Sequence, residues 1–165
     1  MAIIRDLDGE IIAQDPNKTI RQLVQEHKNH LAYADLTGAD LHGLDLSNAN
    51  LEEADLTGAD LHGLDLSNAN LEEADLACAN LYGADLSWAD LTGARLARAN
   101  LEGAKLCHVD ATGAFFRGAD LAGADLTWAY LSDVDLSGAL LDGATLPAPA
   151  SEMPTAGTDT PGIGI

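Results

Sequence analysis

Residues 34–53 read ADLTGADLHGLDLSNANLEE, and the fold follows from the five-residue phrase A(D/N)LxG that repeats through them. The phrase, with close variants, continues in strict register as far as Leu146. Leu occupies every fifth position from Leu36 onward, except at Ala111 and Phe116, and a small apolar residue, usually Ala, stands two positions before it. The position between these two is mostly Asp or Asn. This part of the chain is therefore a tandem repeat with a period of five residues.

A period of five fits neither an amphipathic α-helix nor a long β-strand. Within one phrase, however, the residues fit a short extended segment, in which side chains alternate between two faces. Ala34 and Leu36 then point to one side, while Asp35 and Thr37 point to the other. The fifth residue has to turn the chain, and Gly is common there because it tolerates positive φ. Repeated turns in one direction predict a coil with Leu and Ala inside and Asp outside.

The number of sides of this coil follows from a second, longer period. When the corner residues are sorted at intervals of twenty, one column contains only Gly and the next contains none. The first column comprises Gly43, Gly63, Gly83, Gly103, Gly123 and Gly143. The second comprises Asn48, Asn68, Trp88, His108 and Trp128. Four phrases per turn predict an all-β solenoid of just under six four-sided coils, stacked through backbone hydrogen bonds.

The phrase A(D/N)LxG, in some two dozen consecutive copies, resembles the pentapeptide-repeat family. The resemblance covers about 115 of the 165 residues and implies a right-handed four-sided β-helix, with the handedness taken from the family alone. Fluoroquinolone-resistance members of that family form dimers through a C-terminal helix, and their long rod imitates duplex DNA. The sequence after Leu146 does not favour a helix, which weakens the expectation of DNA mimicry for this chain.

Two neighbouring coils, residues 34–53 and 54–73, are identical letter for letter. The other coils differ from one another, as natural repeats do after they diverge. The simplest interpretations are a very recent duplication or an engineered insertion of one whole coil, and we favour the insertion. Because the added 20 residues keep every column in register, the identity also supports a four-sided coil.

The N-terminal segment, residues 1–30, departs from the repeat and predicts a cap. Residues 2–14 are interpreted as a β-hairpin, because Asp8 and Gly9 form a two-residue turn signal between apolar pairs. A capping box followed by apolar residues at helical spacing predicts a short α-helix over residues 19–29. We expect this segment to cover the first coil, since the end of a solenoid would otherwise expose its apolar layer.

The repeat region is assigned to residues 31–148 and a flexible tail to residues 149–165. The tail is rich in Pro, Gly and Thr, and nothing in it continues the repeat. We expect the uncovered C-terminal coil to allow end-to-end pairing of two copies.

Charge and composition limit the classes of partner. A net charge of −19 and a pI near 4.1 argue against direct binding to nucleic-acid phosphates and make a basic protein partner plausible. The explanation that we favour is that Asp at strand edges keeps a rod soluble and prevents it from polymerising. The sequence does not begin as a signal peptide and contains no membrane-spanning stretch. Cys78 and Cys107 lie on different sides of the predicted coil, so we expect free thiols and a cytoplasmic protein.

The outward Asp residues are predicted to form two acidic columns on two sides of the rod. One comprises Asp35, Asp55 and Asp75, and the other comprises Asp45, Asp65 and Asp85. Their spacing of about 4.8 Å is comparable with the phosphate spacing of one nucleic-acid strand, so DNA mimicry is physically reasonable. A solvated acidic face is the ordinary alternative, and Arg95 and Lys105 interrupt the two columns.

Large aromatic side chains on the C-terminal half are candidates for protein contact. Trp88, His108 and Trp128 share one corner column, and Phe115 and Tyr130 occupy outward positions that Asp usually holds. Aromatic rings on a solvent-facing surface are typical of contact sites. The alternative interpretation is that the rings only shield the backbone at the corner.

The two breaks in the Leu series, Ala111 and Phe116, are interpreted as core packing rather than as a site. They occupy adjacent sides of one coil, so the larger ring is expected to fill the space that the smaller side chain leaves.

The sequence predicts no catalytic residues, no cofactor and no metal site. His42 and His62 are one coil apart, but one of them exists only through the duplication, and Cys107 with His108 has no further ligands nearby. Stacked carboxylates on a flat face do not converge on a cation such as Ca²⁺. The sequence therefore favours a non-catalytic interaction or scaffolding rod. The second hypothesis is an acidic DNA mimic that binds a DNA-handling protein such as a type II topoisomerase, and an enzyme is the third.

Overall fold

The structure is a computed structural model that describes residues 2–147 of the 165. The predicted tail, residues 149–165, lies outside the described residues. The named elements are strands β1 (Ala2–Asp6) and β2 (Ile11–Asp15), helix α1 (Ile20–Glu26), a 3-10 helix (Lys28–His30) and strand β3 (Ala34–Asp35). Within the described range, no helix is long and apolar enough to span a membrane.

Beyond β3 the chain is a stack of coils joined by parallel bridges between residues twenty positions apart. The bridges begin with Asp35 and Asp55 and continue to Asp125 and Thr145, which confirms the 20-residue period. In each bridge the backbone bonds run in both directions along the axis. The Leu36 N–H donates to the Asp55 carbonyl at 2.9 Å, and the Asp55 N–H donates to the Ala34 carbonyl at 3.0 Å. Each coil is thus held by the next.

The lumen is filled by the Leu and Ala columns. Leu41, Leu81 and Leu121 have no exposed surface, and the same holds for most Leu and Ala residues between them. Ala111 and Phe116 are also buried, with exposed fractions of 0% and 1%, and their mutual compensation in packing stays a prediction. Burial of these columns is the main hydrophobic contribution to the stability of the rod.

Every described corner has a left-handed backbone, whether or not Gly is present. Gly43 has φ of +62° and Trp88 has φ of +63°. The absence of Gly from the second corner column therefore does not mean a different turn. The Trp88 N–H donates to the Cys107 carbonyl of the next coil at 2.9 Å, so the bonds between coils hold a conformation that L-residues ordinarily avoid.

A side-chain hydrogen bond closes most corners. The N–H of Thr92 donates to Asp90 Oδ1 at 2.9 Å, and the N–H of Glu102 donates to Asn100 Oδ1 at 3.1 Å. The same bond, from the N–H two residues later, is accepted by Asp35, Asp45, Asn50, Asp55, Asp60, Asp65, Asn70, Asp75, Asn80, Asp85, Asp110, Asp120, Asp125 and Asp135. Asp and Asn accept equally well, so the bond requires the carbonyl-type oxygen and not the charge.

At the N-terminus, β1 pairs antiparallel with β2 and, on its other edge, with β3. The connection between β1 and β2 spans residues 7–10 and is longer than the two-residue turn that the sequence predicts. The reason is the Asp6 carboxylate, which accepts the N–H of Asp8 at 3.1 Å and of Glu10 at 2.8 Å. A register shift between Ile4 and Arg5 accompanies this wider loop.

Helix α1 begins at the capping box, in which the Thr19 hydroxyl accepts the Gln22 N–H. It ends at Glu26, whereas the sequence predicts one helix as far as residue 29. The chain tightens into the 3-10 turn because the backbone then has to meet the first coil, where the Leu31 N–H donates to the Asn50 carbonyl at 3.1 Å.

Side chains of α1 bind backbone groups of the first coil. The Gln25 amide donates to the Asp45 carbonyl at 2.6 Å, and its oxygen accepts the Asp45 N–H at 3.2 Å. The Arg21 guanidinium donates to the His42 carbonyl at 2.8 Å. These side chains therefore take the place of a preceding coil at this edge.

The left-handed corners make a specific prediction at Gly103. An added Cβ would meet no atom within 4 Å, so the change Gly103→Ala introduces only the backbone strain of an L-residue at φ of +65°. We expect the free energy of unfolding, measured by urea denaturation, to fall by about 1–2 kcal/mol. The matched control, Glu102→Ala, alters the neighbouring corner residue, which is not in the left-handed region, and should have a smaller effect. Equal losses in both variants would contradict the account.

Candidate functional site

Trp88, His108 and Trp128, here called the aromatic corner, stack along the rod axis. The rings of Trp88 and His108 have centroids 3.9 Å apart and planes within 10° of parallel. The rings of His108 and Trp128 are further apart, at 6.3 Å and 12°. Their backbones are fixed by bonds between coils, such as that from the His108 N–H to the Thr127 carbonyl at 3.0 Å. The three rings therefore form one rigid column.

Exposure differs along the aromatic corner. Trp88 has 61% of its surface exposed, whereas His108 and Trp128 are half-buried. Trp88 is the first aromatic residue in its column, since Asn48 and Asn68 precede it. The accessible aromatic surface of this corner is thus concentrated at Trp88.

The other two aromatic candidates lie on different sides of the coil. Tyr130, 60% exposed, bridges Asp110 and follows Trp128 by two residues, so it lies on the side next to the aromatic corner. Phe115, 49% exposed, bridges Arg95 on the following side of the coil. The five predicted contact residues therefore occupy adjacent sides of the coil. Four of them lie at or beside the aromatic corner, and Phe115 lies on the side that follows Tyr130.

The acidic columns have the predicted stacking, with parallel bridges joining Asp35, Asp55 and Asp75 on one side and Asp45, Asp65 and Asp85 on another. The cations that interrupt the columns pair with the last carboxylate of each. Arg95 lies 3.8 Å from Asp75, and Lys105 lies 3.1 Å from Asp85. Since the cations of both pairs are well exposed, the pairs contribute little to stability but neutralise one end of each column.

Corner hydrogen bonds keep several carboxyls ionised. The hydroxyl of Thr127 and its N–H donate to Asp125 and hold the pKa of that carboxyl below its ordinary value. Ser47 does the same for the pKa of Asp45, with a smaller contribution from Lys28. Asp125 and Asp45 therefore remain charged at neutral pH, despite the net charge of −19.

Three arginines form a basic cluster that the sequence analysis did not identify. All three are exposed: Arg95 and Arg117 line a shallow groove with Phe115, and Arg117 also lines a neighbouring groove with Arg98. The hydroxyl and N–H of Ser137, followed by the charge of Arg117, lower the pKa of Asp135 at the edge of this cluster. The arginines stand in different columns, so a sort at intervals of twenty does not bring them together. A map of adjacent columns would have found them.

The two histidines of the duplicated coil stack with ring centroids 4.7 Å apart and planes within 3° of parallel. With Asp60 they place potential ligand atoms within 4.8 Å of one another. Parallel imidazole planes do not direct their nitrogen lone pairs at a common point, and Arg21 brings a positive charge to 3.4 Å from His42 Nδ1. The arrangement of His42 and His62 is therefore unfavourable for a shared metal ion.

Both cysteines are free thiols. Cys78 is exposed, whereas burial, together with the neighbouring Asp125, raises the pKa of Cys107 to about 11. Cys107 is therefore protonated at neutral pH and is a weak nucleophile.

Comparison with known proteins identifies the family of the repeat. The model of the pentapeptide repeats matches in eight copies, over residues 34–72, 54–93, 84–121, 99–138 and 112–146. These matches together span more than half of the sequence, so the chain belongs to the pentapeptide-repeat family. Its fold is accordingly a right-handed β-helical solenoid. No curated protein matches the chain significantly.

Solved structures of several pentapeptide-repeat proteins are similar to this chain. Rfr23 from the cyanobacterium Cyanothece 51142 is 35% identical over 64% of this chain and 65% of its own, with a TM-score of 0.38. The chain thus spans slightly less than two thirds of that protein. A Nostoc pentapeptide-repeat protein is 33% identical over 77% of this chain and 98% of its own, with a TM-score of 0.34. QnrB1, a plasmid-mediated fluoroquinolone resistance protein, is 23% identical over 68% and 76%, with a TM-score of 0.45.

The lowered pKa values predict that stability depends on pH. A carboxyl such as Asp125 or Asp135, whose pKa is lower in the folded state than the unfolded value of about 4, contributes stability that is complete above the unfolded value. That stability is lost as the pH falls through the folded-state pKa. We expect the free energy of unfolding, from urea denaturation, to decrease between about pH 5 and pH 2.

The control is the double variant Asp125→Asn and Asp135→Asn, in which neither side chain titrates. Its loss of stability on acidification should be smaller than that of the parent chain. A stability that instead rises on acidification would mean that relief of charge repulsion outweighs the corner hydrogen bonds, and the prediction would be wrong.

Proposed function

We propose that this protein is a non-catalytic rod that acts as a protein-interaction or structural scaffold. The observation that supports this proposal is the filled lumen, in which the Leu and Ala columns leave no internal space for a substrate. Functional groups are then confined to outward side chains at fixed spacing on a rigid support. A cytoplasmic location is part of the proposal and is supported by the two free thiols.

The proposed organisation gives the two ends of the rod different roles. Residues 1–30 act as the cap of the first coil, a role supported by the backbone contacts of Arg21 and Gln25. At the opposite end of the repeat region, residues 31–148, the apolar layer is less covered, since Leu136 is only partly buried and Leu146 is 51% exposed. We propose that two copies pair end to end through this C-terminal coil.

We also propose that residues 54–73 are an inserted copy of the preceding coil. Equivalent backbone hydrogen bonds join the copy to the coil before it and to the coil after it. The Leu36 N–H donates to the Asp55 carbonyl at 2.9 Å, and the Leu56 N–H donates to the Asp75 carbonyl at 2.7 Å. Removal of the copy would join Glu53 to Ala74, and the local sequence at that junction would be unchanged.

A second candidate function is DNA mimicry, with a type II topoisomerase as the partner. The observation that favours it is the pair of acidic columns, in which Asp45, Asp55 and Asp85 have lowered pKa values and stand at strand spacing. Arg95 and Lys105 count against it, because each of them ends its column after three carboxylates. An acidic strip of that length is short compared with a DNA-binding surface.

A gyrase supercoiling assay separates the two functions. The parent chain and a variant lacking residues 54–73 are compared, because the deletion shortens both acidic columns by one carboxylate without altering the corner geometry. The scaffold proposal predicts that neither protein inhibits gyrase or protects it from a fluoroquinolone. Inhibition or protection that varies with the length of the rod would overturn the scaffold proposal in favour of DNA mimicry.

The matched control for this assay is the triple variant Asp35→Asn, Asp55→Asn and Asp75→Asn. Asn accepts the same corner hydrogen bond, as Asn50 and Asn70 do, so the variant removes charge while it preserves the turn. An inhibition that persists in this variant would place the active surface outside that acidic column.

A further inference from the structure

We propose that the open ring face of Trp88 binds an arginine side chain of a basic partner protein. This inference rests on the proposed interaction function and specifies one contact within it. Three features of the structure support it: the orientation of the ring, the charges beside it and the rigidity of its support.

One face of the Trp88 indole is covered and the other is open. His108 stacks on it at a centroid distance of 3.9 Å, so the 61% of Trp88 that remains exposed comprises the ring edge and the opposite face. That opposite face looks toward the preceding coil, where the same column holds the short side chain of Asn68. A planar group can therefore lie on the indole without displacing another ring.

Two carboxylates of the same coil lie close to Trp88 in the sequence, one before the corner and one after it. Asp85 stands three residues before Trp88, and its Oδ2 is engaged by Lys105 at 3.1 Å. Asp90 stands two residues after Trp88 and uses Oδ1 to accept the Thr92 N–H at 2.9 Å. Among the described residues no cation pairs with Asp90, so its second oxygen is available to a ligand.

An arginine side chain fits this combination better than the other cationic groups of a protein. Its guanidinium is planar and stacks on an indole, while its N–H groups reach a neighbouring carboxylate. A lysine ammonium is a compact, strongly hydrated charge and makes only one of these contacts well. The net charge of −19 attracts a basic partner to the rod and repels an acidic one.

The support of Trp88 is rigid, which limits the entropy lost on binding. Its backbone N–H is bonded to the next coil at 2.9 Å, and its ring rests on His108, which is in turn followed by Trp128. The contact surface is therefore organised before the partner arrives.

The chain contains two tryptophans, and both belong to the aromatic corner. Tryptophan fluorescence, excited at the long-wavelength edge where tyrosine does not absorb, consequently reports on this corner alone. In the variant Trp128→Phe the emitting tryptophan is Trp88, and in the variant Trp88→Ala it is Trp128. The probes are an oligo-arginine peptide and an oligo-lysine peptide of the same length, neither of which contains an aromatic residue.

The expected result is a saturable change in the emission of the Trp128→Phe variant, at lower concentrations of the arginine peptide than of the lysine peptide. The Trp88→Ala variant should show no saturable change, because the remaining indole is half-buried beneath His108. Equal affinity for the two peptides, or an unchanged Trp88 emission, would overturn the proposal.

Two charge variants distinguish a site from general attraction, and both are made in the Trp128→Phe background. Asp90→Asn and Asp120→Asn each remove one charge and keep the corner bond, which is 2.9 Å long at Asp90 and 3.0 Å at Asp120. Asp120 lies on the opposite side of the coil from Asp90. We expect Asp90→Asn to raise the Kd of the arginine peptide about fivefold, and Asp120→Asn to change it by less than about twofold.

Equal weakening by the two charge variants would overturn the arginine site and leave the proposed interaction rod intact, because the attraction would then be general. The failure of the proposed function is recognised separately, in the gyrase assay, by inhibition that depends on rod length.

Discussion

A hydrogen bond from a corner N–H to the Asp or Asn side chain two residues earlier recurs at most corners of the rod, and together with the bonds between coils it shapes the rest of the structure. The turn is left-handed even where Trp88 takes the place of Gly, and the bonds between coils alone hold the same turn at His108, which follows Lys105. After each closed corner, the side chain of the next Leu points into the lumen and that of the next Asp or Asn points outward. The apolar core and the outward columns therefore both follow from the repeated corner, which this bond closes at most positions that have an Asp or Asn to accept it.

The same bond separates the fold from the surface charge. Asn100 closes its corner as Asp90 does, so selection or design can vary the charge of an outward position without loss of the turn. Positions without such a bond, such as Arg95, Phe115 and Tyr130, show that a few corners tolerate its absence because the bonds between coils remain. Because the other corners resemble one another, these residues and the aromatic corner are what distinguish one part of the rod from another. The candidate contact surfaces are formed by them.

The sequence was sufficient to predict the solenoid and its 20-residue coil, because the Leu and Gly columns follow directly from side-chain alternation and turning. It was insufficient at the corners without Gly, where a backbone conformation that L-residues avoid is imposed by the neighbouring coil. It also predicted too tight a turn after β1, since the role of the Asp6 carboxylate depends on a fold-back of the chain. The outward direction of Trp88 and Tyr130 followed from the column pattern. The sequence did not predict that Phe115 lies on a different side of the coil, or that Arg98 lies in a cluster of arginines. Both depend on which columns are adjacent in space.

The most direct test of this account compares Asp120→Asn with Asp120→Ala by urea denaturation. Asp120 is suited to the test because its Oδ1 accepts only the Ala122 N–H, at 3.0 Å, and no cation pairs with it among the described residues. The account predicts that the Asn variant unfolds at nearly the same urea concentration as the parent chain, whereas the Ala variant loses about 1 kcal/mol of stability. Equal losses in the two variants would assign the effect to the charge and contradict the account, as would an Ala variant as stable as the parent.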